Sequence, residues 1–143
     1  MMTIRPFEAA DAGAVVELWR VCGLVHPTND PKRDIARKLK VRGDLFLVGL
    51  EDGALVASAM VGYEGHRGWV NYFAVAPSAR RRGYGRQLML EAERRLRAEG
   101  CPKINLQVRT SNTAALRFYE SMGFKRDEAV SLGKRLEHDT PAA

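Results

Sequence analysis

Cysteine and histidine are scarce in this chain of 143 residues, which holds two of the first and three of the second. Two cysteines are too few for the disulfide framework that staples a small secreted domain. Cys22 lies in an amphipathic helical pattern and Cys101 just before a strand, which suits half-buried thiols in a reducing cytoplasm. His26, His66 and His138 have no helical ligand spacing, and no paired-cysteine motif offers zinc a home, so no metal is expected. Long apolar runs are missing too. None approaches the ~18–20 residues that span a bilayer, and the opening MMTIRPFEAADAG lacks the apolar stretch of a secretory signal. A cytoplasmic protein with no membrane partner is the expectation. Acidic residues are outnumbered, 17 against 23 lysines and arginines, for a net charge of +6. That excess suits an anionic partner, whether nucleic acid, a phosphorylated ligand or a membrane surface, and charge alone does not choose.

Hydrophobic residues make up 45% of the chain and charged residues 28%. Length and composition predict one domain with a sizeable core. TIRPF (3–7) reads as a first strand. Asp11 is placed to cap a helix carrying Val15, Leu18, Trp19 and Cys22 on one face. Asp30 before Pro31 opens a second, short helix with Ile35 and Leu39 inward. LFLVGLE (45–51), ALVASAMVGYE (54–64) and WVNYFAVAP (69–77) follow as strands joined by short turns, an antiparallel meander. Leu88, Met89, Ala92 and Leu96 then give a helical stripe that Gly100 stops. KINLQV (103–108) is a strand. Asn112 or Thr113 opens a helix with Ala115, Leu116, Tyr119 and Met122, ended by Gly123. Residues 123–136 read as one or two last strands, and the tail EHDTPAA as loose. The strand–helix–strand crossover makes strands 69–75 and 103–108 parallel. The fold class is therefore α/β: a single-domain mixed sheet of about 6–7 strands with 4 helices, an antiparallel N-terminal meander followed by a parallel pair joined by a helix.

One stretch stands out in this frame. RRRGYG (80–85) sits where the third meander strand hands over to the long helix, the place where ligands bind in α/β sheets. The first amides of that helix are free, its dipole adds positive charge, and Gly83 and Gly85 allow close approach to the backbone. Arg80, Arg81 and Arg82 add full charges, with Arg86 one residue beyond Gly85. The combination fits a phosphate or pyrophosphate. A dinucleotide fingerprint would need a third glycine after Arg86-Gln87, and a P-loop would need Gly-Lys-Ser or Gly-Lys-Thr; neither is present.

The strand-to-helix motif Arg80-Arg81-Arg82-Gly83-Tyr84-Gly85 resembles the signature of the GNAT superfamily of acyl-coenzyme A N-acyltransferases. INLQVRTSNTAALRFYESMGF (104–124), with Asn112, Tyr119, Gly123 and Phe124, is similar to that family's second signature. The two occur in the expected order and spacing, and the likeness covers essentially the whole chain as one N-acetyltransferase domain. LWRVCGL, TNDPKRDIARKLK, GYEGHRG and SLGKRL are similar to the bacterial YpeA type within the superfamily.

The resemblance implies acetyl-coenzyme A as cosubstrate, its pyrophosphate at Arg80, Arg81, Arg82, Gly83, Tyr84, Gly85 and Arg86. It implies that the backbone of Phe73, Ala74 and Val75 holds the pantetheine arm, between parallel strands that splay. It places Tyr119 where the family's general acid sits, though a helix-face aromatic packed against Leu116 and Met122 would read the same way locally. Asn112 either caps its helix or bonds the cofactor, or both. Glu64 is the candidate base, His66 another, and Arg67 a carboxylate binder, unless YEGHRG is simply a solvated turn. His26, Asn29 and Asp30 are candidates for the acceptor side. The function implied is acetyl transfer to a primary amine of a small molecule or a protein. A coenzyme A-binding protein without turnover and a basic nucleic-acid-binding module are the alternatives. The second is disfavoured, since no helix carries a basic reading face. Whether the chain forms a homodimer is open.

Overall fold

The computed structural model describes residues 1–139. A five-stranded sheet has the order β1-β2-β3-β4-β5. β1 (Met2–Pro6), β2 (Phe46–Glu51), β3 (Ala54–Tyr63) and β4 (Gly68–Val75) are antiparallel neighbours, and β5 (Ile104–Asn105) lies parallel to β4. α1 (Ala12–Val21) and α2 (Pro31–Leu39) cover one face, α3 (Tyr84–Ala98) the other, and α4 (Thr113–Ser121) follows β5. The expected mixed architecture and its four helices are present. The strand count is five among the described residues, below the expected 6–7.

Each helix follows from its stripe and its cap. In α3, Leu88, Met89, Ala92 and Leu96 are all buried, as their 3.6-residue spacing requires. Asp30 caps α2 by accepting from the Lys32 amide at 2.9 Å, with Pro31 preorganised at the first helical position. Asp11 does not cap α1 with its side chain. Its carboxylate instead grips Arg5 at 2.7 and 3.0 Å and accepts from the Glu8 amide at 2.8 Å. Two apolar layers result. Leu47, Val61, Val70, Leu88 and Met89 pack beneath α3, while Phe7, Trp19, Ile35, Phe46 and Val48 pack beneath α1 and α2.

Two expectations near the C-terminus are corrected. Residues 123–136 form no strand, and β5 is two residues long rather than six. Lys103 to Asp127 at 2.9 Å and Gln107 to Ser131 tie the segment to the β5 region through side chains alone. Alternation needs a backbone ladder to become a strand, and Val130, Leu132 and Leu136 stand 84–91% exposed. Of the tail expected to be loose, residues 140–143 lie outside the described residues, and the part before them is anchored. Asp139 is buried, accepting from the Asp30 amide at 2.9 Å and from Arg37 at 2.6 Å.

Candidate active site

Where β4 ends and α3 begins, a cleft of about 650 Å³ opens between β4, the following turn and α4. Phe73, Ala74 and Val75 form one wall, Asn112, Ala115, Phe118 and Tyr119 the other, and Arg80, Arg81, Gly83, Gly85 and Arg86 the end. β4 and β5 are paired only through Gly68–Ile104 and Trp69–Asn105. Beyond that point the strands separate, and the α4 side chains line the gap.

The turn is left-handed at two residues, Arg81 (φ 64) and Gly83 (φ 77). Gly83 is the N-cap of α3, and a Cβ built there would meet nothing within 4 Å. Space is therefore open above it, next to the first helical amides, which lack intrahelical acceptors. Gly85 does a different job. A Cβ there would stand 3.3 Å from the Phe118 ring, so its bareness lets α3 and α4 close on each other.

The arginine run is divided among three tasks. Arg82 bonds Glu51 at 2.7 and 2.9 Å, and the Tyr84 hydroxyl donates to the same carboxylate. Tyr84 and Arg82 together hold the Glu51 carboxyl below its usual range, and Glu51 in turn raises the Tyr84 phenol. Tyr84 is buried, with its hydroxyl committed to Glu51. Arg80 donates through Nε to the Val75 carbonyl at 3.1 Å, where the Cys22 thiol also points at 3.5 Å. Arg86 reaches the Met122 sulfur at 3.5 Å. Arg81 makes no hydrogen bond or ion pair among the described residues. The charge available to an anion is thus that of Arg80, Arg81 and Arg86, since Arg80 meets a neutral carbonyl, whereas Arg82 is already paired with Glu51.

Asn112 caps α4, its Oδ1 accepting from the Ala115 amide at 3.1 Å, which leaves its NH₂ group uncommitted. Tyr119 stands in a cage of rings, with centroids of Phe118, Phe124 and Phe73 at 5.2, 5.6 and 6.0 Å. Burial pushes its phenol up to about 12. It lines the cleft and also a larger cavity of about 1350 Å³ on the β5 side, so it forms part of the wall between them.

Glu64 is not brought to this site. It sits in the β3–β4 hairpin, where its carboxylate accepts from the Arg67 and His66 amides, the latter at 2.6 Å. Those bonds, Arg67's first, hold it below its usual range. It lines neither cavity. The cleft is at the other end of β4, roughly 20 Å away at about 3.3 Å per residue. His66 and Arg67 share that hairpin, with Arg67 bonding the His66 carbonyl at 3.0 Å. His26 lies 2.7 Å from Arg109, a contact between the α1–α2 loop and the loop before α4.

Sequence reasoning missed the residues that shape β4. Between Ser58–Ala74 and Met60–Asn71 the register advances two residues on β3 and three on β4. A bulge therefore lies at Tyr72, whose φ is 50. Tyr72 stacks on Trp19 at 3.8 Å and 13°, and its hydroxyl donates to Asp34 at 2.6 Å. Only the aromatic pair in VNYFAV hinted at it.

Residues 13–124 match the model of the Acetyltransferase (GNAT) family. A protein named acetyltransferase ECA0875, from Pectobacterium atrosepticum, is 46% identical over 138 residues, which are 96% of this chain and 98% of the relative. The crystal structure of Ard1 from Thermoplasma volcanium superposes with a TM-score of 0.79 at 26% identity, covering 87% of this chain and 82% of that one. The PaiA N-acetyltransferase of Thermoplasma acidophilum, solved in complex with coenzyme A, shares the fold, with a TM-score of 0.76 at 18% identity over 91% of this chain and 93% of that one.

Proposed function

The chain belongs to the acetyltransferase (GNAT) family, and we propose that it transfers the acetyl group of acetyl-coenzyme A to a primary amine by direct attack at the mouth of the β4–α4 cleft. One juxtaposition carries the reading. An open cradle at Gly83, with free helix amides and the unpaired Arg81, lies at one end of a cleft whose wall holds a protonated Tyr119 with no hydrogen-bond partner among the described residues.

The residues present fit the cosubstrate. Arg81, Arg86 and the first amides of α3 would hold its pyrophosphate, and the bare Gly83 admits it without steric contact. The exposed edge of Phe73, Ala74 and Val75, with the free NH₂ of Asn112, would hold the pantetheine arm. Bound there, acetyl-coenzyme A supplies an activated acyl carbon as a thioester. The chain must then stabilise a developing oxyanion and a departing sulfur. A backbone amide beside Val75 is suited to the first. Tyr119 donates its phenolic proton toward the second, since a phenol raised to about 12 stays protonated at neutral pH.

Among the described residues no carboxylate or imidazole lines the cleft. Deprotonation of the acceptor ammonium therefore falls to solvent, not to Glu64. The same observation favours the second reading, a coenzyme A-binding protein without turnover. Release of free thiol from acetyl-coenzyme A, measured across a panel of peptide N-termini, lysine peptides and small amines, separates the two. Turnover with at least one amine is expected, at a rate that rises with pH as the acceptor becomes neutral. Tight cofactor binding with no thiol release for any amine would sustain the binding-only reading.

A further inference from the structure

We propose that Ser58, held by Trp19, is a positioning residue of the transfer site: its hydroxyl pins the bulge of β4 that turns Phe73 toward Tyr119 and the cleft. The inference rests on the acetyl-transfer reading for its consequence, though not for its geometry.

Ser58 is one of two buried polar or charged residues among those described, with no exposed surface at all. A buried hydroxyl needs partners, and Ser58 has two. Trp19 Nε1 donates to its Oγ at 2.9 Å, and Oγ lies 3.0 Å from the Tyr72 carbonyl. The directions follow from chemistry. An indole N–H only donates and a carbonyl only accepts, so the single proton of Ser58 is committed to Tyr72. That carbonyl belongs to the bulged residue, which has no register partner on β3, and the Ser58 hydroxyl supplies it with a donor.

The backbone at Tyr72 needs holding. A bulky residue at φ 50 occupies a region that side chains disfavour. Stacking on Trp19 and the bond to Asp34 fix the ring, while Ser58 fixes the carbonyl. Trp19 therefore clamps the bulge twice, once through its face and once through Ser58.

The bulge decides which way β4 presents its side chains. Val70 and Phe73, three apart, both face the α3 layer, whereas Tyr72 and Ala74 face α1. In an unbulged strand Val70 and Phe73 would point to opposite faces, because facing reverses with each one-residue slip. Phe73 would then leave the cleft wall, together with its ring contacts at 5.7 Å to Phe118 and 6.0 Å to Tyr119. Ser58 acts on the site through this parity and does not itself line the cleft.

The test compares Ser58→Ala with Leu47→Ala, a core truncation on the opposite layer that loosens the fold without touching the pin. Two quantities are read: amide hydrogen exchange in the peptide spanning 71–75, and kcat/KM for acetyl-coenzyme A with an amine from the panel above. Ser58→Ala is expected to speed exchange in 71–75 selectively and to lower kcat/KM by about 10- to 100-fold, the scale of a small misplacement of reacting groups. Leu47→Ala is expected to stay within about threefold of the parent in kcat/KM despite a comparable loss of melting temperature. Should Ser58→Ala not fold, Trp19→Phe keeps a stacking ring and removes the indole donor, and the same two changes are expected at smaller size. Parental exchange in 71–75, or a kcat/KM no lower than that of Leu47→Ala, overturns the proposal. If the parent turns over no amine, the acetyl-transfer reading fails, and the exchange comparison still decides the pin.

Discussion

Tyr119 keeps its proton because three aromatic rings surround its phenol and, among the described residues, no cation stabilises the phenolate. Its pKa near 12 rests on desolvation alone. Tyr119→Phe preserves the ring contacts with Phe73, Phe118 and Phe124 and removes only the hydroxyl that carries the proton. Cofactor affinity should stay within about threefold, while single-turnover transfer falls by roughly 10–10⁴-fold. The lower end applies because a thiolate leaves with little help. Normal single-turnover rates would return Tyr119 to a packing role. At this scale the sequence was legible where one short motif holds both the residue and its context, as for Asn112, which caps α4. It was illegible where the partner is distant. Glu51, which occupies Arg82, is 31 positions away, and Trp19 is 39 from Ser58. Glu64 carries the right functional group for a base, and only the path of β4 shows that it stands at the other end of the strand from the cleft.

Elements with a strong internal period declared themselves, and those that depend on a neighbour did not. α3 needs only its own stripe and Gly100 to be recognised. Residues 123–136 have strand-like alternation, yet a strand exists only when another edge accepts its amides, and no local pattern reports that. The docking of the C-terminal segment on α2 was hidden for the same reason. Asp139 lies against the start of that helix, its side chain 1% exposed, bonded to Arg37 and to the Asp30 amide. Arg37 is the larger cause and the Asp30 amide the next in holding its carboxyl far below the usual range. A carboxyl depressed by folding contributes stability above its unfolded pKa, about 3.9, and loses it as pH falls toward the folded value. Asp139→Asn is therefore expected to lower the melting temperature at pH 7 and to differ less and less from the parent as the pH falls below about 4. A gap between the two melting temperatures that is the same at pH 3 and pH 7 would show that the contact is not ionic.

At the scale of the whole molecule, a net charge of +6 and a cleft between splayed parallel strands act on the same ligand. The diffuse positive field attracts any polyanion, whereas on the proposed reading the cradle at Gly83 would select one that also carries an arm thin enough to lie along Phe73, Ala74 and Val75. Field and cradle respond differently to salt and to ligand structure, which allows them to be told apart. A ligand that binds only the folded chain stabilises it by about 2.7 kcal/mol at a hundredfold excess over Kd. For a chain of this size that corresponds to a rise in melting temperature of roughly 5–10 °C. Coenzyme A is expected to give such a rise at millimolar concentration. Pantetheine, which lacks the phosphates, should give much less, and inorganic pyrophosphate, which lacks the arm, should fall between them. Raising the salt should shrink the coenzyme A effect only in part, because exposed Arg81 and Arg86 are screened while the helix amides and the β4 edge are not. Duplex DNA that matched coenzyme A at low salt and lost its whole effect at 200 mM would mark the field as the working feature. A melting temperature that ignores coenzyme A altogether would remove the cradle from the account and with it the assignment of the cleft.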